Sequence, residues 1–108
     1  AQEPANAEAK AARDNARFLA RISAAMADGE ADPIARADAA PGDVDLALTA
    51  ADAEIAAGKV EQAFDRLLAV IMKDKERVRT RMVELFALFD AGDPRVADAR
   101  ARMANALF

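Results

Sequence analysis

The sequence predicts an all-α fold of antiparallel helical hairpins, with about five main helices. Three observations lead there. Of 108 residues, 31 are Ala, against four Gly and four Pro. The larger apolar residues recur at spacings of three and four, the helical period. No segment alternates apolar and polar residues over a useful length, so no strand is expected. Ala is the best helix former but buries little area. Setting it aside leaves 27 larger apolar residues, 6 Val, 4 Ile, 8 Leu, 4 Met and 5 Phe. A chain this short, with so few of them, builds a small core.

The first helix begins near Pro4, a residue suited to an opening turn. Residues 1–17 hold no large apolar side chain, so this part has nothing of its own to bury and is expected to be solvated or to lean on a second chain. Phe18, Ile22 and Met26 then form a stripe four residues apart, and Gly29 is the expected stop. Residues 29–42 read GEADPIARADAAPG and are the least regular stretch, with a short helix at Pro33–Ala39 anchored by Ile34.

Three stronger helices follow. Asp43 caps one from Val44 to Ala57, with Val44, Leu48, Ala51 and Ile55 on one face, and Gly58 ends it. The next runs from Val60 to Lys73 and is apolar nearly all round, which marks it as central. Asp74 caps a third, from Lys75 to Asp90, with the stripe Val78, Met82, Leu85, Phe86 and Phe89. Ala91-Gly92-Asp93-Pro94 then combines a stop with a start. The last helix runs from Arg95 to Phe108, with Val96, Met103 and Leu107 roughly on one face. The expected core is Phe64, Leu67, Leu68, Ile71, Val78, Met82, Leu85, Phe86 and Phe89. Connections of two to four residues turn neighbouring helices antiparallel.

Composition removes most chemistry. There is no His, Cys, Trp or Tyr, and the only side-chain hydroxyls are Ser23, Thr49 and Thr80. Disulfides, zinc sites built on Cys or His, and nucleophile–histidine pairs are excluded. The expectation is a protein that is not an enzyme and holds no cofactor or metal. Asp43 and Asp45 read as first-turn capping acids. Asp52 and Glu54, two apart on a helix, point to different sides and do not form a catalytic pair. Lys73, Lys75, Arg77, Arg79 and Arg81 scatter around their helix and read as a solvated surface. Met72 and Met82 read as core fillers, while Met26 and Met103 are candidates for exposure.

The formal net charge is −4, which disfavours nucleic acid. Residues 1–58 carry 11 acids and 5 bases, and residues 59–108 carry 8 acids and 10 bases. The second half is therefore the better candidate to meet an acidic surface. The longest apolar run falls far short of the roughly 20 residues of a membrane span. No signal peptide is visible, and no membrane partner is expected. The chain opens on Ala1-Gln2 without an initiator Met, which reads as a piece of a longer protein.

Residues 44–77 are about one tetratricopeptide unit long. Small residues fall at Ala51 and Ala63, where helices approach closely, and Gly58 falls at the turn. Val60 and Leu67 take places usually held by large or aromatic residues. The Trp and Tyr of a typical repeat are absent, and Lys75 stands where a closing Pro is usual. From Leu46 to Phe108 the chain resembles the C-terminal part of the bacterial thioredoxin-like co-chaperones, the chaperedoxin family. The residues that carry this resemblance are Ala56-Ala57-Gly58, Val60-Glu61-Gln62-Ala63-Phe64, Arg66-Leu67-Leu68, Arg77-Val78-Arg79, Glu84-Leu85-Phe86, Asp93-Pro94-Arg95-Val96, Arg100-Ala101-Arg102-Met103-Ala104 and Ala106-Leu107-Phe108. The chain is therefore expected to divide into an N-terminal Ala-rich helix over 1–28, partly solvated or packed on a partner, an irregular linker over 29–42 and a tetratricopeptide-like domain over 43–108.

The resemblance implies a cytoplasmic protein-binding module that holds unfolded clients and docks on a GroEL-type chaperonin through its last helix. Any thiol chemistry of the parent would belong to a thioredoxin domain outside these residues. Arg95, Val96, Arg100, Met103, Leu107 and Phe108 are the candidate contacts, in a helix-in-groove mode. An aromatic at position 108 needs something to hold it. The alternative is a generic tetratricopeptide-like scaffold or self-association domain with an unrelated protein partner. A homodimer through the N-terminal helix is a further expected partner.

Overall fold

The computed structural model describes residues 3–27 and 32–108, with backbone alone for 3–9, 11 and 25–27. Among these residues there are six helices and no strand: α1 Glu3–Ala27, α2 Pro33–Ala39, α3 Val44–Ala56, α4 Val60–Val70, α5 Lys75–Phe86 and α6 Pro94–Leu107. The expected stop at Gly29 and the exposure of Met26 lie outside what is described.

Aspartates open four of the helices. Asp32, Asp43, Asp74 and Asp93 accept hydrogen bonds from the backbone N–H groups of Ile34, Leu46, Arg77 and Arg95, satisfying donors that a helix start leaves unpaired. α3 ends as its Gly predicts. Gly58 has φ +81°, its N–H donates to Ile55 O at 3.1 Å, and the Lys59 N–H donates to Glu54 O at 2.8 Å. This double closure needs a left-handed residue, which Gly supplies without strain. The chain then turns straight back into α4.

α4 and α5 are shorter than their apolar patterns suggest. Asp74 must leave helical geometry to cap α5, so Ile71–Lys73 form a turn in which the Lys73 N–H donates to Val70 O. After Phe86 the chain tightens to three-residue bonding, Leu88 to Leu85 and Phe89 to Phe86. Ile71 remains fully buried all the same.

The core gathers Leu67, Val70 and Ile71 of the α4 region, Val78, Met82, Leu85 and Phe86 of α5, Val96 and Ala99 of α6, Leu48 of α3 and Phe18 of α1. Phe64 meets the rings of Phe86 and Phe89 edge-on, at 5.3 and 6.3 Å between centroids. Leu68 and Phe89, expected at the centre, are only partly buried at its margin, and Met72, expected as a core filler, is exposed in the turn after α4. Ala47, Ala50, Ala51 and Ala63 are buried, and small side chains there let α3 and α4 approach closely, as the Ala51 and Ala63 spacing predicted.

α1 lies on α3 and α5 of its own chain, burying Asp14 and Phe18, while Lys10, Ala12 and Arg13 before them are exposed. α2 packs on α3 through Ala37, so the irregular linker contains a docked helix.

Candidate protein-binding site

The root of α6 is locked. Asp93 caps it, and Arg95 returns to Asp93 through Nε at 3.1 Å and Nη2 at 2.8 Å. The Arg95 guanidinium also lies 5.4 Å from the Phe89 ring centroid. Hydrogen bonds from the Arg95 side chain and backbone hold the Asp93 carboxyl below its usual range. Val96, expected among the contacts, is 1% exposed. It faces the core because it begins the same ridge that anchors the helix, so it supports the site from behind.

The other end of α6 opens. Met103 and Leu107 are half-buried at the core's margin, and Phe108 is fully exposed. Arg100 lies over the Phe86 ring at 5.3 Å, with its residue exposed. Met103, Leu107 and Phe108 thus lie toward the C-terminal end of α6, Arg100 lies midway along it over Phe86, and Arg95 and Val96 stay at the root. On the other flank, Arg102 donates to Asp65 of α4 at 2.7 Å, a bond that raises its pKa. A cleft of about 200 Å³ between α4 and α6 is lined by Phe64, Glu61, Asp65, Arg95, Asp98 and Arg102. Its charges are mixed, and among the described residues no cluster of three metal-ligating side chains forms.

Two buried ion clusters were not foreseen. Asp52, 3% exposed, accepts from Arg21 at 2.8 and 3.3 Å and from Arg81 at 2.8 Å. Arg21 also donates to Glu84 at 3.0 Å, so one neutral cluster joins α1, α3 and α5. Burial disfavours the Arg21 charge, but its bonds to Asp52 and Glu84 outweigh that and raise its pKa. For Arg81, burial dominates, with Arg21 adding repulsion, and the pKa is lowered. On the opposite side of α3, Glu54 accepts from Arg66 at 2.8 and 3.1 Å, and Arg66 reaches Asp38 at 2.8 Å. The bond to Glu54 is the main reason the Arg66 pKa is raised. These clusters tie α3 to α1 and α5 on one side and to α2 and α4 on the other. The available signal was Leu48 and Asp52 four apart, a carboxylate continuing a buried stripe.

Helical hairpins closed by tight turns, in contact through alanines and displaying an open helix end, define a helical-repeat interaction domain. A family model described as the tetratricopeptide repeat matches residues 19–108, and the chain belongs to that family. Membership carries the coarse function of a protein–protein interaction module. The chain is 40% identical, over 109 aligned positions, to uncharacterized proteins of Mycobacterium bovis and Mycobacterium tuberculosis. The alignment covers 97% of this chain and 34% of each relative, so the chain spans about a third of the length of the curated relatives it matches. No solved structure matches it. Among the described residues, no helix is long and apolar enough to cross a membrane.

Proposed function

We propose that this domain is the protein-interaction module of a thioredoxin-like co-chaperone in the cytoplasm. The open end of α6 docks a GroEL-type chaperonin, and unfolded clients are the second class of ligand. The observation that carries the reading is Phe108, fully exposed beside half-buried Met103 and Leu107. An exposed aromatic beside half-buried apolar neighbours gives a partner apolar area to cover. Arg100 adds a cation of the kind enriched at interface hot spots. The resemblance of Asp93–Phe108 to the co-chaperone family supplies the identity of the partner.

The experiment is a titration of a GroEL-type chaperonin with the domain, followed by light scattering of a chemically unfolded client. Phe108→Ser should weaken chaperonin binding by about tenfold or more, the loss of an apolar anchor, with unchanged helicity. Equal binding by wild type and variant would remove Phe108 from the contact. Domain that neither binds the chaperonin nor slows client aggregation would point to an unrelated protein partner.

A further inference from the structure

We propose that the groove between α1 and α5 is a docking site for an acidic, partly apolar segment of a partner protein. Lys10, Arg13 and Arg17 stand at positions i, i+3 and i+7 of α1, one face of the helix. Arg79 faces them from α5 across a groove of about 340 Å³, with Val83 among its lining residues. Three cations without a carboxylate partner among the described residues, Arg13, Arg17 and Arg79, and Lys10 paired with Asp14 thus border an apolar spot, since Val83 is 41% exposed.

The groove is a local excess of positive charge in a chain of net charge −4. Elsewhere Arg21, Arg66, Arg77, Arg81, Arg95 and Arg102 each bond a carboxylate. Among the described residues, Arg13, Arg17 and Arg79 have no such partner. The groove's own two carboxylates are committed: buried Asp14 accepts from Lys10 at 2.8 Å, and Glu84 accepts from Arg21 at 3.0 Å. Neither is left to neutralise the outward cations. The Arg21 bonds to Asp52 and Glu84 fix α1 against α5, so these cations are presented on a set framework. Gathering like charges is unfavourable in the free protein, and carboxylates of a partner relieve it while steering encounter.

The size and charge of the site favour a peptide over a polyanion. The cations on α1 span about 10 Å, room for only a few phosphates, and the acidic remainder of the chain repels nucleic acid. An acidic segment with one apolar residue matches both the cations and Val83. This site lies on other helices than the α6 end and does not rest on the chaperonin reading.

The test uses the whole 108-residue protein and a labelled synthetic peptide of alternating Glu and Leu. Binding should weaken by about tenfold between about 50 mM and about 300 mM sodium chloride, as exposed charges are screened. Arg17→Glu with Arg79→Glu should weaken it by at least about tenfold at low salt, while Arg36→Glu on α2 leaves it unchanged. If the double reversal lowers helicity, Arg17→Gln with Arg79→Gln is read instead, and the same loss is expected. Equal binding of the peptide with Gln for Glu would overturn the proposal. So would an equal loss in Arg36→Glu, or tighter binding of a single-stranded RNA of the same length.

Discussion

The first and last helices lie against the same core but are attached by different physics. α6 is held mainly by apolar burial, through Val96 and Ala99 with Met103 and Leu107 behind them. α1 has one buried aromatic, Phe18, with Ile22 partly buried beside the core, and is tied to α3 and α5 by the cluster of Arg21, Asp52, Arg81 and Glu84. Burying ions has a desolvation cost that their attraction only partly recovers, so such a cluster mainly specifies where a helix sits. An apolar ridge is less particular, and it can run past the core and leave its last residues uncovered. The helix with the charge cluster is thus positioned, and the helix with the ridge leaves Phe108 uncovered.

The largest effect should come from the core that both helices share. Phe64→Ala removes the ring between Phe86 and Phe89 and should cost about 3–5 kcal/mol in a urea melt. In so small a domain that could abolish folding, and a loss below about 1 kcal/mol would show that the site is not closed. Asp52→Ala leaves Arg21 and Arg81 without their shared carboxylate and should cost about 3 kcal/mol. A loss as small as that of a surface substitution would mean that α1 is placed by its apolar residues Phe18 and Ile22 instead.

Arg21→Ala sharpens the contrast. Hydrogen exchange should rise through α1 while the protection of α6 is unchanged, because the two helices use separate anchors. Uniform loss of protection would show that the domain opens as a single unit.

Most of the architecture was legible in the sequence because helix signals are local. Asp43, Asp74 and Asp93-Pro94 mark starts and Gly58 marks a stop, each through bonds to residues two to five positions away. The core stripe of α5 followed from its spacing. The attachment of α1 was not legible, since Arg21 and Asp52 are 31 positions apart and only the tertiary fold joins them. The same holds for the groove that gathers Arg17 and Arg79. In the candidate site, periodicity placed Val96, Met103 and Leu107 on one ridge, but it could not say where along that ridge the core ends. That point depends on where α5 stops, and the apolar run after Phe86 concealed it.

The effect of pH should be small and confined to acid. Asp93 has a depressed pKa, held down by hydrogen bonds from Arg95. A depressed carboxyl stabilises above its unfolded pKa, near 3.8, and that contribution fades as pH falls through the lower folded value. Helicity should hold from about pH 5 to about pH 9 and decline only below about pH 4, with the Asp93 cap at the start of α6 keeping its charge to lower pH than an ordinary carboxyl. Loss of helicity near neutral pH would contradict this, since the chain has no His.

The claim that α6 has residues to spare for a partner is tested most directly by deleting Ala106 to Phe108 and measuring chaperonin capture and thermal unfolding on the same protein. Capture of a GroEL-type chaperonin should fall by about tenfold or more while helicity and melting stay close to wild type. Unfolding of the deletion variant would show that the end of α6 is structural. Full capture by a folded variant would show that the contact lies elsewhere.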